Sequence, residues 1–209
     1  MKHALNTVII CFLVIAGLTT AAHSKSKEIQ LGSTLDNLQT AYLSEATAHR
    51  LYQQYAEKAD EEGFRQLASM FRAIARGEEI HAANLAALIN PSGSLPAPDP
   101  GEFVVKSTKE NLQFAEADQV YETDVMYPTF IEQARQEKNE QAVRVFSYAV
   151  AAEPAHLAMY RQALKDLDGY RGNHVDFLVC PGCGRTSRSA KDTSCPVCSM
   201  PSEKFETVR

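Results

Sequence analysis

The chain has 209 residues, 44% of them hydrophobic, with 21 Lys and Arg against 26 Asp and Glu. That is enough for one domain of ordinary size plus a small module. The mild acidic excess, with no Lys or Arg stripe interleaved with aromatics, speaks against nucleic acid as a partner.

The N-terminus is different in kind. Met1-Lys2-His3 precedes an apolar run, Val8 to Leu18, and Thr20-Ala21-Ala22 offers small residues to a peptidase. This is the layout of a secretory signal peptide over residues 1–22, so the expected location is outside the cytoplasm, in the periplasm, with no membrane attachment after cleavage. Left uncleaved, the uncharged stretch Ala4 to Ala22 is a membrane anchor, although its core falls short of the roughly 20 apolar residues a span needs. Cys11 follows Ile10 and not a small residue, which argues against a lipoprotein site.

Beyond a polar stretch, apolar residues recur at helical spacing from Leu35 through Leu38, Ala41, Leu51 and Tyr55 to Ala59, predicting a helix from about Asp36 to Glu62 that stops at Gly63. A second helix follows at once, from Phe64 to Ile89. The short gap makes the two antiparallel neighbours. NPSGSLPAPDPG, Asn90 to Gly101, is too rich in proline, glycine and serine for a regular element and reads as a long crossover. Ser107 and Glu110 form a capping-box pattern that opens a third helix, and a break near Glu137 to Glu140 leads into a fourth that ends near Gly169. Pro128 and Pro154 lie inside these helices and are expected to bend or unwind them. The expected fold is mainly α, a four-helix bundle over residues 34–170 followed by a small module over 175–209.

The helices carry a repeated pattern. FRAIARGEEIH, Phe71 to His81, and FSYAVAAEPAH, Phe146 to His156, each place a His three residues after a Glu, at an offset of 75 residues. Positions i and i+3 leave one helix face, so Glu78/His81 and Glu153/His156 on facing helices would point at one spot. A bundle interior does not accept such groups uncompensated, because an unpaired buried charge costs several kcal/mol. Carboxylate oxygen with imidazole nitrogen suits a pair of iron or manganese ions. In that pattern the other two helices each supply a further Glu. The first offers Glu45, on a face shared with Ala41, Ala48 and Tyr52; the third offers Glu122, with Gln119 a weak ligand or a partner to it. Four carboxylates balance two divalent ions with neutral imidazoles.

The second metal signal is CPGCG followed by CPVCS. Cys180, Cys183, Cys195 and Cys198 form two Cys-x-x-Cys knuckles eleven residues apart, the spacing of a tetrathiolate site, with disulfides the alternative staple.

With Glu45, Glu78/His81, Glu122 ahead of MYP, Glu153/His156 and the CPGCG, CPVC and PSEKFE tail, the chain from about Thr34 to Val208 resembles a rubrerythrin. The resemblance implies a ferritin-like di-iron bundle, a rubredoxin-like module with one iron held by four thiolates, and protection against oxidative stress. The implied activity is reduction of hydrogen peroxide to water with electrons entering at the rubredoxin-like iron from a donor the sequence does not name. It also implies a homodimer or larger homo-oligomer in which one subunit's module approaches another's di-iron centre. Tyr52 and Tyr127 are then expected to hydrogen-bond to ligand carboxylates, or else to fill the core. Three positions depart from the family: Gln119 stands where another Glu is usual, Ser199 replaces a Gly, and Arg185 replaces an aromatic. Gln119 puts a redox-linked exchange of Glu122 in doubt, and the other two bear on iron potential and on iron against zinc. Two other readings stay open: ferritin-like oxidation and handling of Fe(II), and a non-enzymatic module with zinc at the four thiolates.

Overall fold

The computed structural model describes residues 32–91, 95–98, 103–189 and 193–209; the expected signal segment lies outside the described residues. The helices are α1 (Thr34–Glu61), α2 (Arg65–Ile89), α3 (Thr108–Tyr121), α4 (Tyr127–Gln136) and α5 (Glu140–Lys165), with a π-helical turn over Glu122–Met126 joining α3 to α4. α1 lies along α2, while α3, the π turn and α4 lie along α5, so the bundle has four columns. Among the described residues no helix is long and apolar enough to cross a membrane.

The ends of the columns follow from local chemistry. Ser33 accepts a hydrogen bond from Asp36 N–H and the Asp36 carboxylate accepts from Ser33 N–H, which starts α1 two residues before Asp36. Ser107 and Glu110 repeat the device at α3, as expected. α1 ends where Gly63 takes φ +83 and Phe64 N–H turns back to the Ala59 carbonyl at 2.7 Å. α5 stops at Lys165 rather than near Gly169, because Asp166 leaves helical geometry and its carboxylate accepts the Gly169 N–H. α5 continues through Pro154 without unwinding. At Pro128 the ladder does change: proline has no N–H for the Asp124 carbonyl, and Tyr127 N–H bonds instead to Glu122, five residues back.

That π turn explains the repeat. Before it, α1 and α3 match at an offset of 74: Ser33 with Ser107, Leu38 with Leu112, Ala41 with Ala115, Glu45 with Gln119. After it the offset is 75: Tyr52 with Tyr127, Tyr55 with Phe130, Ala59 with Ala134. All but the two serines are buried. One inserted residue therefore sits inside the turn, and the counterpart of Glu45 is Gln119, not Val120. Glu122 is opposite Ala48.

The tail is a three-stranded antiparallel sheet, β1 (Phe177–Val179) between β2 (Thr186–Ser187) and β3 (Glu206–Val208), with Val179 paired to Thr186 on one side and Glu206 on the other. Phe177 and Val179 are buried in the same cluster as Leu67, Phe71 and Tyr160, so the tail shares the bundle's core. The connection to it is fastened as well. The Arg171 guanidinium stacks 3.8 Å over Phe64 and donates to the Glu62 carbonyl, and Ser69 Oγ lies 3.1 Å from His174 Nδ1. On α2, Arg76 grips Glu206 of β3 with two hydrogen bonds of 2.7 and 2.9 Å.

The two cysteine knuckles turn alike. Gly184 N–H bonds to the Cys180 carbonyl and Ser199 N–H to that of Cys195, with φ +76 and +64. Ser199 is exposed and its left-handed backbone costs about 1–2 kcal/mol that glycine does not incur. Ser199→Gly should therefore stabilise the metal-loaded tail by about 1 kcal/mol after the unfolded-state entropy of glycine is counted, read as a higher denaturant midpoint for loss of the tetrathiolate absorption. An unchanged or lower midpoint would contradict this.

Candidate metal centre

Glu45 of α1, Glu78 and His81 of α2, and Glu153 and His156 of α5 converge inside the bundle, none more than 2% exposed. Ligand atoms of Glu45, Glu78, His81 and Glu153 lie within 4.8 Å of one another. Each of two glutamates faces both imidazoles. Glu78 sets Oε2 3.0 Å from His81 Nδ1 and Oε1 3.3 Å from His156 Nδ1. Glu153 sets Oε1 3.0 Å from His81 Nδ1 and Oε2 2.9 Å from His156 Nδ1. Glu45 Oε2 adds a contact to His81 at 3.5 Å. The donor set thus has two ends, one imidazole at each, joined by two carboxylates.

The electrostatics show what the set lacks. Burial pushes Glu45 up to about 8 against the pull of His81. Burial also opposes charge on Glu153 and on the imidazoles, but their mutual attraction wins, taking Glu153 down to about 2 and His156 up to about 10. Even so, among the described residues Glu45 Oε2, both Glu78 oxygens, Glu153 Oε1 and His81 Nδ1 are buried without a hydrogen-bond partner. Orphaned acceptors of this kind cost about 1–3 kcal/mol each. Divalent cations satisfy them all, so the residues present fit a pair of metal ions.

Glu122 is fully buried but stands outside that cluster: Ser44 Oγ donates to its Oε1 at 2.9 Å and Gln119 Nε2 to its Oε2 at 3.0 Å. Burial and the nearby Glu45 carboxylate raise its pKa well above the usual range. Gln119 acts on Glu122, and its own Oε1 has no partner among the described residues. Tyr127 donates its hydroxyl hydrogen bond to Glu45, as expected of it. Tyr52 does not reach a carboxylate; it fills the core against Tyr55, Phe71 and Tyr160.

The four tail cysteines are free thiols whose sulfurs cluster within 4.8 Å, with Cys180 and Cys198 3.4 Å apart and Cys183 and Cys195 3.5 Å. Sulfurs set tetrahedrally at ~2.3 Å from one ion stand about 3.8 Å apart, so the cage already has the size of a tetrathiolate site. The Cys183 thiol and the N–H groups of Gly182 and Cys183 hold Cys180 down at about 5. Met200 N–H reaches Cys198 sulfur as Arg185 N–H reaches Cys183, so Ser199 in place of Gly keeps that hydrogen bond.

The two sites touch. Cys183's carbonyl accepts from His81 Nε2 at 2.9 Å, and Thr186 Oγ1 lies 3.1 Å from His156 Nε2. Only glycines permit this approach. A Cβ on Gly77 would stand 2.6 Å from the Gly184 carbonyl, and one on Gly184 2.5 Å from His81 Nε2. In this chain the module lies against its own bundle centre. Ser44, Gly77, Gly184 and Thr186 were not singled out from the sequence.

The rubrerythrin family's sequence model matches residues 36–164, more than half of the chain. The chain belongs to the rubrerythrin family. Among curated relatives, nigerythrin of Nitratidesulfovibrio vulgaris is 36% identical over 84% of this chain and 86% of its own, and rubrerythrin-2 of Clostridium acetobutylicum 31% over 83% and 95%. The solved structure of fully reduced, all-ferrous nigerythrin matches with a TM-score of 0.79 at 32% identity, covering 97% of this chain and 100% of that one. The carboxylate–imidazole set and the four thiolates are thus the di-iron and rubredoxin-like iron positions of a rubrerythrin.

Replacing Gln119 with Glu removes the amide donor from Glu122 and sets a second carboxylate beside it in a dry site. Gln119→Glu should lower the stability of the metal-free protein by about 1–3 kcal/mol and lose most of that deficit when two divalent ions are bound. Denaturant melts of metal-free and loaded protein measure both; a deficit unchanged by loading would show that position 119 does not face the ions.

Proposed function

We propose that the protein is a peroxidase of oxidative-stress defence, converting hydrogen peroxide, two electrons and two protons to two molecules of water. The observation that carries this reading is the hydrogen bond from His81 Nε2 to the Cys183 carbonyl, which would join a metal held by the four thiolates to the bundle centre through one residue's backbone. Ferrous iron in the bundle would supply the electron pair that breaks the O–O bond, and iron at the four thiolates would restore it one electron at a time.

This chain's own residues have definite parts in that scheme. Glu78 and Glu153 hold the two positions together, and His81 and His156 close the ends. Tyr127 keeps Glu45 oriented by its hydroxyl. Tyr52, Phe71 and Tyr160 wall the bundle with apolar surface beside the site, which keeps bulk water out. Ser44 and Gln119 hold the buried Glu122 carboxylate in place beside the centre. The reading includes export by the N-terminal segment, an external electron donor that docks at the tail, and a second copy of the chain as partner.

The test uses the iron-loaded full chain, reduced without oxygen and mixed with one equivalent of peroxide. The bundle should reoxidise faster than with oxygen, followed by the thiolate-to-iron absorption of oxidised tail. With zinc at the four thiolates the first event should persist and re-reduction from an external donor should stop. Faster reaction with oxygen, together with uptake of iron well beyond two ions per bundle, would favour iron handling. Tail sites occupied by zinc alone after purification from the native compartment would favour the non-enzymatic reading.

A further inference from the structure

Both imidazoles present Nδ1 to the carboxylates and Nε2 to the tail, and both Nε2 atoms end on one short turn. His81 Nε2 meets the Cys183 carbonyl, which can only accept, so that nitrogen carries the proton. Thr186 Oγ1 has two acceptor-only neighbours besides His156, the Gly184 carbonyl at 3.2 Å and the Ala73 carbonyl at 3.5 Å. The single hydroxyl proton goes to one of these carbonyls. Its oxygen is then left to accept from His156 Nε2–H at 3.1 Å. The result is the same at both rings: the proton is fixed on Nε2, and the Nδ1 lone pair is available to an ion.

We propose that the turn from Cys183 to Thr186 is an outer clamp for both ends of the bundle centre, with Thr186 the positioning residue for His156, and that metal binding in the tail and in the bundle is therefore cooperative. The turn is built into the knuckle. Cys183 is one of the four sulfur ligands, Gly184 N–H closes onto the Cys180 carbonyl, and Thr186 lies in β2, paired with Val179. Metal at the thiolates orders the turn, the turn orients the imidazoles, and oriented imidazoles bind their ions more tightly. By thermodynamic linkage the converse holds by the same factor. The proposal rests on the two metal sites and not on the peroxidase reading, so either can fail alone.

The experiment measures binding, not turnover. Full-length protein with one equivalent of zinc in the tail is titrated with Co(II) against a chromophoric chelator, and the visible bands of bundle-bound cobalt are recorded. Thr186→Val should keep its tail zinc, weaken one of the two bundle ions about 10- to 100-fold and shift its bands; Thr186→Ser should restore both. Cys195→Ser/Cys198→Ser, which removes the tail metal but leaves every bundle ligand and Thr186 in place, should weaken both bundle ions. In the parent, iron in place of zinc in the tail should leave the cobalt affinity unchanged, since the coupling is steric and not electronic. Parental cobalt affinity in both variants would overturn the coupling. Loss in the cysteine variant with none in Thr186→Val would overturn the role of Thr186.

Discussion

The structure depends on one constraint: three carboxylates and two imidazoles share a volume from which water is excluded. Burial by itself would neutralise the acids and discharge the bases, and their mutual attraction satisfies only some of them. Several oxygens and one nitrogen keep no partner among the described residues. An apolar interior tolerates that only when a cation completes the set. The long amphipathic columns, the capping boxes that fix their ends and the aromatic packing around Phe71 and Phe146 all serve to hold the three carboxylates 2.9 to 3.5 Å from the imidazoles.

Much of this could be read in advance because it repeats. Two Glu-x-x-His pairs at one offset locate the facing helices and the residues that face inward, and two Cys-x-x-Cys knuckles locate the tail site. The α3 column was harder. A fixed offset of 75 projects Glu45 onto Val120, an aliphatic residue with no ligand atom. The signal that resolves it was present: the capping boxes at Ser33 and Ser107 are 74 apart, while Tyr52 and Tyr127 are 75 apart. Comparing the two offsets places one inserted residue between them, at the π turn that carries Glu122. The chemistry of Glu122 could not be read the same way. Its partners Ser44 and Gln119 lie on two different columns, and no periodicity records which side chains meet across them.

The contacts between tail and bundle were invisible for a different reason. Thr186 and Gly77 are ordinary residues at ordinary positions, one following a knuckle and one inside a helix. Their roles exist only once the tail is docked, when Gly77 lets a backbone carbonyl pass where a methyl group would collide. A glycine inside a helix costs about 1 kcal/mol against alanine. Its retention beside a ligand such as Glu78 is explained by this approach and by nothing within the helix.

The bundle is nearly symmetric, yet it carries one tail, and the duplicated sequence shows why the tail lies where it does. At the repeat offset, Arg76 and Gly77 of α2 correspond to Ala151 and Ala152 of α5. Arg76 supplies the fork to Glu206, and Gly77 the opening for Gly184. On α5 the first position has no charge to grip β3, and the second has a Cβ buried completely in the bundle. His81 and His156 are equivalent by repeat but not by surroundings: His81 meets the carbonyl of a sulfur ligand, while His156 meets a threonine hydroxyl three residues on. A carbonyl of Cys183 is one residue's backbone from the tail metal, and the hydroxyl of Thr186 is several bonds further. The asymmetry of docking therefore sets the His81 ring directly on the backbone of a sulfur ligand, and leaves the His156 ring with a hydroxyl contact that can orient it but stands three residues further from that ligand.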